Sequence, residues 1–386
     1  MTRLRPRTLA LVLALTLACT ARQPPPSLGP GEPVADGVQY FHVSDRSLIG
    51  GLGPIDVSLL RLDPAKVRLD AVLSNDEVLD TETVASIAER HHAIAAINGG
   101  YFNRTNGEPT GLLKVAGELV SDSTALKGAV AITSPLQGRT ELLFDLLAAK
   151  LTMRATSGDR SWVVPIDGVD TTRERGKLML YTPAYHADAD TAPGTEWVLD
   201  GSPLQVVEVR PNAGRTPIPR TGAVLSFGGI TALPGPVEDL VVGTAVAFQA
   251  TWRSARNLPA DRLDRATHIV NGAGLLRRDG EIVADWDAEA LNPEAFVNAR
   301  HPRTLIGTDV RGMIWLATID GRQPERSIGM TFADLQRLCD RLELTNALNL
   351  DGGGSTTMVV KGKVVNVPSD PGGARPVSDA LVVLNR

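Results

Sequence analysis

From Val38 onward the chain is a succession of short apolar runs, rich in Val, Ile and Leu and broken by Gly, Pro and Asp. Runs of that length fit strands better than helices, because a buried helix needs ten or more residues of sustained periodicity. Ile55-Asp56-Val57-Ser58-Leu59-Leu60 and Val67-Arg68-Leu69-Asp70-Ala71-Val72-Leu73 alternate, so successive side chains point to opposite faces of a sheet. Leu178 to Tyr181, Trp197 to Leu199, Gln205 to Val209 and Ala223 to Phe227 continue the pattern through a strand-rich middle segment, 140–265. Two segments read as helices. Thr81 to His91 offers Thr81 and Thr83 as caps and puts Val84, Ile87 and Ala88 on one face. Thr331 to Leu342 carries a capping box in which Asp334 replaces the usual Glu, and an apolar stripe of Phe332, Leu335, Leu338, Cys339 and Leu342. Cys339 on that stripe reads as core, not as a nucleophile. Strands outnumber helices and do not alternate regularly with them. The expectation is an α+β fold of mixed, strand-rich sheets with a few packed helices, not a doubly wound parallel sheet.

Composition narrows the function. The 386 residues suffice for one large core or two modest ones. Aromatic residues are only 4% of the chain, which argues against a stacking platform for bases or an aromatic-lined lectin groove. The net charge of -5 leaves no basic surplus to neutralise a polyphosphate backbone, so no nucleic-acid partner is expected. Any phosphate contact must be local, made by a few arginines and backbone amides.

The first residues read as an export signal. Arg3, Arg5 and Arg7 precede an apolar stretch from Leu9 to Leu17, too short to span a membrane as a helix. Thr16-Leu17-Ala18-Cys19 is similar to a lipoprotein box, in which Cys19 would be lipidated; cleavage after Ala21 is the competing reading of a signal over 1–21. The Pro-rich stretch after it, 22–37, reads as a tether to a domain over 38–386. The expected location is the cell envelope, lipid-anchored, or outside the cell, with membrane contact only through that anchor. No later segment is long and apolar enough to span. Cys19 and Cys339 are the two cysteines, so the exported domain is expected to have no internal disulfide.

Two glycine-rich turns follow short apolar strands. One is Asn98-Gly99-Gly100; the other is Asp351-Gly352-Gly353-Gly354-Ser355-Thr356-Thr357. Consecutive glycines cost chain entropy and add no packing, so they belong where a ligand approaches the main chain or where amides point at an anion. Ser355, Thr356 and Thr357 would add hydroxyl donors. Asp351 at the mouth of its loop can act as acid, base or nucleophile, or hold a metal, or merely cap the turn. No Lys follows the glycines, which excludes a Walker loop, and no Gly stands two places after Ser355, which excludes a nucleophile elbow. Arg303 and Arg375 could each hold a phosphate in a bidentate way or be surface charges. The six histidines show no metal-ligand spacing; His91 and His92 are adjacent and would face different ways. No cofactor is expected. A divalent cation beside Asp351 is compatible with the loop, but no second ligand is legible and the metal stays unknown.

The motifs together are similar to those of the phosphodiester glycosidases, the family that includes the mammalian "uncovering enzyme". Ala95-Ala96-Ile97-Asn98-Gly99-Gly100-Tyr101-Phe102 resembles the family's opening signature and Arg303-Thr304-Leu305-Ile306-Gly307 its middle one. Asn346 to Met358, containing the Asp351 loop, resembles its strongest signature, and Arg375-Pro376-Val377-Ser378-Asp379-Ala380-Leu381 its ending. Leu180-Tyr181-Thr182-Pro183 fits bacterial members, which are often labelled exopolysaccharide-related. The resemblance implies hydrolysis of a sugar-1-phosphodiester, with a carbohydrate phosphodiester as partner. Asp351 would serve at the anomeric carbon as base or nucleophile, and Arg303 would stabilise the phosphate. Asn98, Gly99, Gly100, Gly352, Gly353, Gly354, Ser355, Thr356 and Arg375 would bind substrate. Glu108 and Asp309, close to the motifs in sequence, are candidates for a second carboxylate. The cysteine-rich tail of the mammalian enzyme has no counterpart here, so the resemblance carries over the bond type and not the mammalian sugar. A non-catalytic phosphoglycan binder and a phosphodiesterase cutting P–O remain the alternatives.

Overall fold

The computed structural model describes residues 28–228, 233–284 and 286–386. The expected signal and Cys19 lie outside them. The architecture is α+β as expected, with strands gathered into three sheets and few helices. An eight-stranded sheet runs in the order Glu32–Ala35, Val38–Val43, Val57–Leu62, Ile314–Ile319, Arg303–Asp309, Leu344–Asn349, Leu275–Arg278 and Glu281–Ile282. The last residues of segment 22–37 thus pair along its edge. A five-stranded sheet runs Lys363–Val364, Met358–Val360, Ala95–Asn98, Asp379–Asn385 and Val67–Leu73. The middle of the chain forms the third sheet, of twelve strands, built around the long hairpin of Ser123–Thr133 and Glu141–Ser157.

Period-two alternation explains how these sheets stack. In Val57–Leu62, Leu60 and Leu62 face the central core shared by all three sheets, while Val57 and Leu59 face a second cluster on the opposite side. Leu305 and Ile306 divide in the same way, as do Ala347 and Leu348. Helix Phe332–Arg341 covers that second face with Phe332, Leu335, Leu338 and Cys339. Its capping box forms as the sequence implies: Asp334 N–H donates to Thr331 Oγ1 at 3.2 Å, and Thr331 N–H donates to Asp334 Oδ2 at 3.0 Å. Cys339 is fully buried, and burial pushes its thiol up to about 12, which fits a core residue. The five-stranded sheet is covered by helix Val84–Arg90, capped by Thr83. Val84 and Ile87 pack there against Ala96, Val359 and Val382. Burying Val84 and Ile87 contributes roughly 1.5–3 kcal/mol each. Thr81 lies before the cap.

Candidate active site

The site lies where the chain leaves one sheet for another. Strand Leu344–Asn349 ends in the eight-stranded sheet, and the next strand, Met358–Val360, lies in the five-stranded one. The Asp351 loop is the crossover. Three backbone bonds tie it to both sheets: Leu350 N–H donates to Thr304 O at 2.8 Å, Asp351 N–H to Gly99 O at 3.2 Å, and Gly353 N–H to Pro302 O at 2.9 Å. The glycines permit this closeness. A Cβ at Gly352 would stand 2.6 Å from Pro302 O, and one at Gly354 would collide with the Arg375–Asp370 ion pair. Of the three, Gly353 alone needs left-handed backbone, with φ of 61°.

Asn98 joins the two sheets at this point. It is fully buried at the end of strand Ala95–Asn98. Its Nδ2 donates to Asp351 O at 2.7 Å, and its Oδ1 accepts from Thr304 Oγ1 at 2.8 Å and from Thr357 N–H at 3.2 Å. Asn98 therefore orients the carbonyl of Asp351 and makes no bond to its carboxylate. Asn349 does similar work, donating to Tyr101 Oη at 3.2 Å and to the carbonyls of Ala273 and Leu350.

Two aspartates interact here. The carboxylate of Asp351 accepts from Gly352 N–H at 2.8 Å. Burial raises its pKa to about 6; the Ser355 hydroxyl, the Gly352 amide and Arg375 act against that rise, and Asp379 adds to it. The residue keeps some exposed surface, but protein surrounds the carboxylate itself. Asp379 opens the last strand and is buried throughout. Its Oδ1 accepts from Gly100 N–H at 2.9 Å and its Oδ2 from Ser378 Oγ at 2.7 Å; burial holds its pKa above the usual carboxylate range. A Cβ at Gly99 would fall on Asp379 Oδ1, which explains the first glycine turn.

The candidates proposed from sequence neighbourhood stand elsewhere. Asp309 is at the far end of the strand that begins with Arg303, six residues and roughly 20 Å away. Its carboxylate caps a turn, accepting from Arg311 N–H at 2.9 Å, Met313 N–H at 3.0 Å and Trp315 Nε1–H at 3.0 Å. Glu108 accepts from Thr171 Oγ1 at 3.0 Å and Thr172 Oγ1 at 2.6 Å, tying its loop to the twelve-stranded sheet. The sequence reading missed Asp379 as a partner of Asp351, although it lies in the quoted ending motif. The available signal was an acid at the first position of an otherwise apolar strand. It also missed Glu289, whose carboxylate accepts from the amides of Gly128, Gly274 and Leu275 and whose charge reaches Tyr101.

Arg303 lies at this end of its strand but is 1% exposed. Its Nε donates to Met330 O at 3.0 Å, and its Nη2 to Phe296 O at 2.6 Å and Ala299 O at 3.0 Å. The guanidinium packs between the rings of Phe296 and Phe332, 5.0 and 4.8 Å from their centres. Burial lowers its pKa to about 10, so it remains cationic at neutral pH. Arg375 pairs with Asp370 at 2.7 Å and lies close enough to Asp351 to favour its ionised form. Ser355 Oγ, Thr356 Oγ1, Thr357 Oγ1 and Asn349 Oδ1 are all buried and without a hydrogen bond of ordinary geometry among the described residues. Such atoms also occur singly elsewhere, at Ser74 and Thr318 for instance, but four gathered around one loop mark it as polar and not as apolar core. No group of three or more His, Cys, Asp or Glu with metal-binding geometry occurs among the described residues. No helix there is long and apolar enough to cross a membrane.

The chain is similar to several known proteins. The phosphodiester glycosidase family model matches residues 196–384, which include Arg303, Asp351, Arg375 and Asp379. The mouse (Mus musculus) protein N-acetylglucosamine-1-phosphodiester alpha-N-acetylglucosaminidase is 33% identical over 102 residues, 26% of this chain and 19% of its own length. The matched stretch thus spans about a fifth of that curated relative. A crystal structure of a protein from Burkholderia pseudomallei K96243 is 25% identical and covers 86% of this chain and 74% of its own, with a TM-score of 0.71. A hypothetical protein from Synechocystis shares the fold, with 24% identity, a TM-score of 0.73, and coverage of 91% of this chain and 63% of its own. Residues 196–384 thus match the phosphodiester glycosidase family model, and about a quarter of the chain is similar in sequence to N-acetylglucosamine-1-phosphodiester alpha-N-acetylglucosaminidase.

Proposed function

We propose that this protein is an exported hydrolase that cleaves the glycosidic C–O bond of a sugar-1-phosphodiester. The observation that carries the reading is Asp351. A carboxylate with a raised pKa stands at the mouth of a glycine loop, beside a second buried aspartate and the buried hydroxyls of Ser355, Thr356 and Thr357. The family match supplies the bond type.

The reaction breaks the bond from the anomeric carbon to the phosphate oxygen, and the oxygen of water ends on the sugar. The departing phosphate monoester is a weaker base than a sugar alkoxide and needs less help from an acid. Fixed positive charge then carries much of the stabilisation. Asp351 acts at the anomeric carbon in its ionised form, either taking a proton from water or forming a glycosyl ester that water then opens. Asp379 fixes the Gly99-Gly100 turn through its bond to the Gly100 amide, and its charge tunes Asp351. Tyr101, whose hydroxyl donates to Leu350 O at 3.1 Å and whose pKa burial raises, stays neutral and holds the wall of the site.

The basic, apolar N-terminus favours export, and the bacterial association of the motifs favours an exported or cell-surface polysaccharide as substrate. The test is turnover of a panel of sugar-1-phosphodiesters in ¹⁸O-labelled water. Label in the sugar is the expected result. Label in the phosphate would establish P–O cleavage instead, and a folded protein that binds the panel without turnover would be a phosphoglycan binder. Asp351→Asn is expected to abolish turnover while leaving the fold intact.

A further inference from the structure

The arginine expected to hold the phosphate is not the one best placed to touch it. Arg303 is 1% exposed and spends Nε and Nη2 on three backbone carbonyls. Arg322, by contrast, is exposed, and its guanidinium lies over the glycine loop. Its Nη2 is 3.0 Å from where a side chain at Gly353 would begin. The same Nη2 is 3.3 Å from His301 Nδ1.

His301 determines what that contact means. Its other ring nitrogen, Nε2, is 3.0 Å from Ala295 O, which can only accept. Nε2 therefore carries the hydrogen, and Nδ1 presents a lone pair to Arg322. Burial lowers the pKa of His301, and the charges of Arg303 and Arg322 lower it further, which favours this neutral form. Arg322 is thus oriented by a neutral acceptor and not by a carboxylate. Among the described residues neither Arg322 nor Arg303 pairs with a carboxylate, although most arginines in this protein that bond a side chain do so. The two guanidiniums are near enough for Arg322 to lower the pKa of Arg303. Adjacent cations with no acid between them make this end of the loop attractive to an anion.

The backbone is built for the same end. Arg322 has φ of 60°, left-handed for a residue with a side chain. The surrounding turn fixes it there. Asp320 accepts from Val367 N–H at 3.0 Å and from Asn366 Nδ2 at 3.1 Å. Gln323 Nε2 donates to Val367 O at 3.0 Å, Ser327 N–H donates to Gln323 O at 2.7 Å, and Gly321 lies flush against Pro302.

We propose that Arg322 is the residue of this site that contacts the phosphate, forking onto its non-bridging oxygens, with His301 as its positioning residue. Arg303 supplies a second, buried charge behind it. The inference rests on the phosphodiester reading for its substrate but concerns phosphate in any form. Two measurements on the full chain separate the two.

The first is kcat/KM on a sugar-1-phosphodiester and on a neutral aryl glycoside of the same sugar. Arg322→Ala is expected to lose roughly 100-fold on the phosphodiester, as for removal of a charge-assisted fork, and to change less than about threefold on the aryl glycoside. Arg322→Lys should recover part of the loss, and His301→Ala should raise KM more than it lowers kcat. The second is calorimetric titration with inorganic phosphate, which needs no turnover. Wild type should bind and Arg322→Ala should bind at least tenfold more weakly, with an unchanged Tm. Equal phosphate affinity in the two proteins, or no binding by wild type, would overturn the assignment. If no glycoside is turned over but phosphate binding depends on Arg322, the glycosidase reading fails and this assignment stands.

Discussion

Replacing Asp351 with Asn should make the protein more stable while removing its turnover. Folding moves the Asp351 pKa from 3.8 to about 6, chiefly through burial. The folded state therefore binds more protons than the unfolded state between those values. Stability falls as pH rises from about 4 to about 6 and stays reduced above that window. A shift of about two units corresponds to roughly 3 kcal/mol of differential stability at full weight. Asp351 keeps some contact with solvent, so we expect about 1–3 kcal/mol. Asn keeps the oxygen that accepts from Gly352 N–H, and its new amide hydrogens face Ser355 Oγ, which has no other partner. The exchange thus removes a buried charge without orphaning a neighbour. For a domain of this size each kcal/mol moves Tm by roughly 2 °C, so Asp351→Asn should melt about 2–6 °C higher than wild type at pH 8. At pH 4, where Asp351 is protonated in the folded protein, the difference should shrink towards zero. Thermal scans of both proteins at the two pH values test this. An Asp351→Asn variant that melts at or below wild type at pH 8 would refute the idea that the carboxylate is held at a cost.

The ionised form of Asp351 drives the reaction, so kcat/KM should rise with pH along a limb centred near 6. Asp379→Asn removes a charge that raises the Asp351 pKa and should move the limb to lower pH; Arg375→Ala removes a charge that lowers it and should move the limb to higher pH. Shifts in the opposite directions would assign the limb to another group. At the first glycine turn, Gly99→Ala drives a methyl into Asp379 Oδ1 and should cost about 2–3 kcal/mol. Gly372→Ala, where nothing lies within 4 Å, should cost less than about 0.5 kcal/mol. A urea titration that ranks the two alike would remove the packing explanation for Gly99.

The sequence by itself determined the local structure. Alternation in Val67 to Leu73 and the short apolar run Ala223 to Phe227 define strands whose bounds the structure reproduces. The Thr331 and Asp334 pair starts its helix where the sequence implies. These features depend on neighbours within a few residues, and so does the glycine loop after Asp351. The long strand Glu141–Ser157 was harder to read, because Leu142 to Ala149 is almost continuously apolar and buried on both faces. Only the tertiary structure decided which charges meet. Asp309 follows Arg303 by six residues yet lies at the other end of the strand. Asp379, twenty-eight residues beyond Asp351, faces it because the last strand pairs with Ala95–Asn98. Arg322 reaches the loop only because a turn at the end of the neighbouring strand packs Gly321 against Pro302. Periodicity reports the face a side chain takes; sheet order and crossovers bring distant strand ends together, and the chemistry depends on which ends meet.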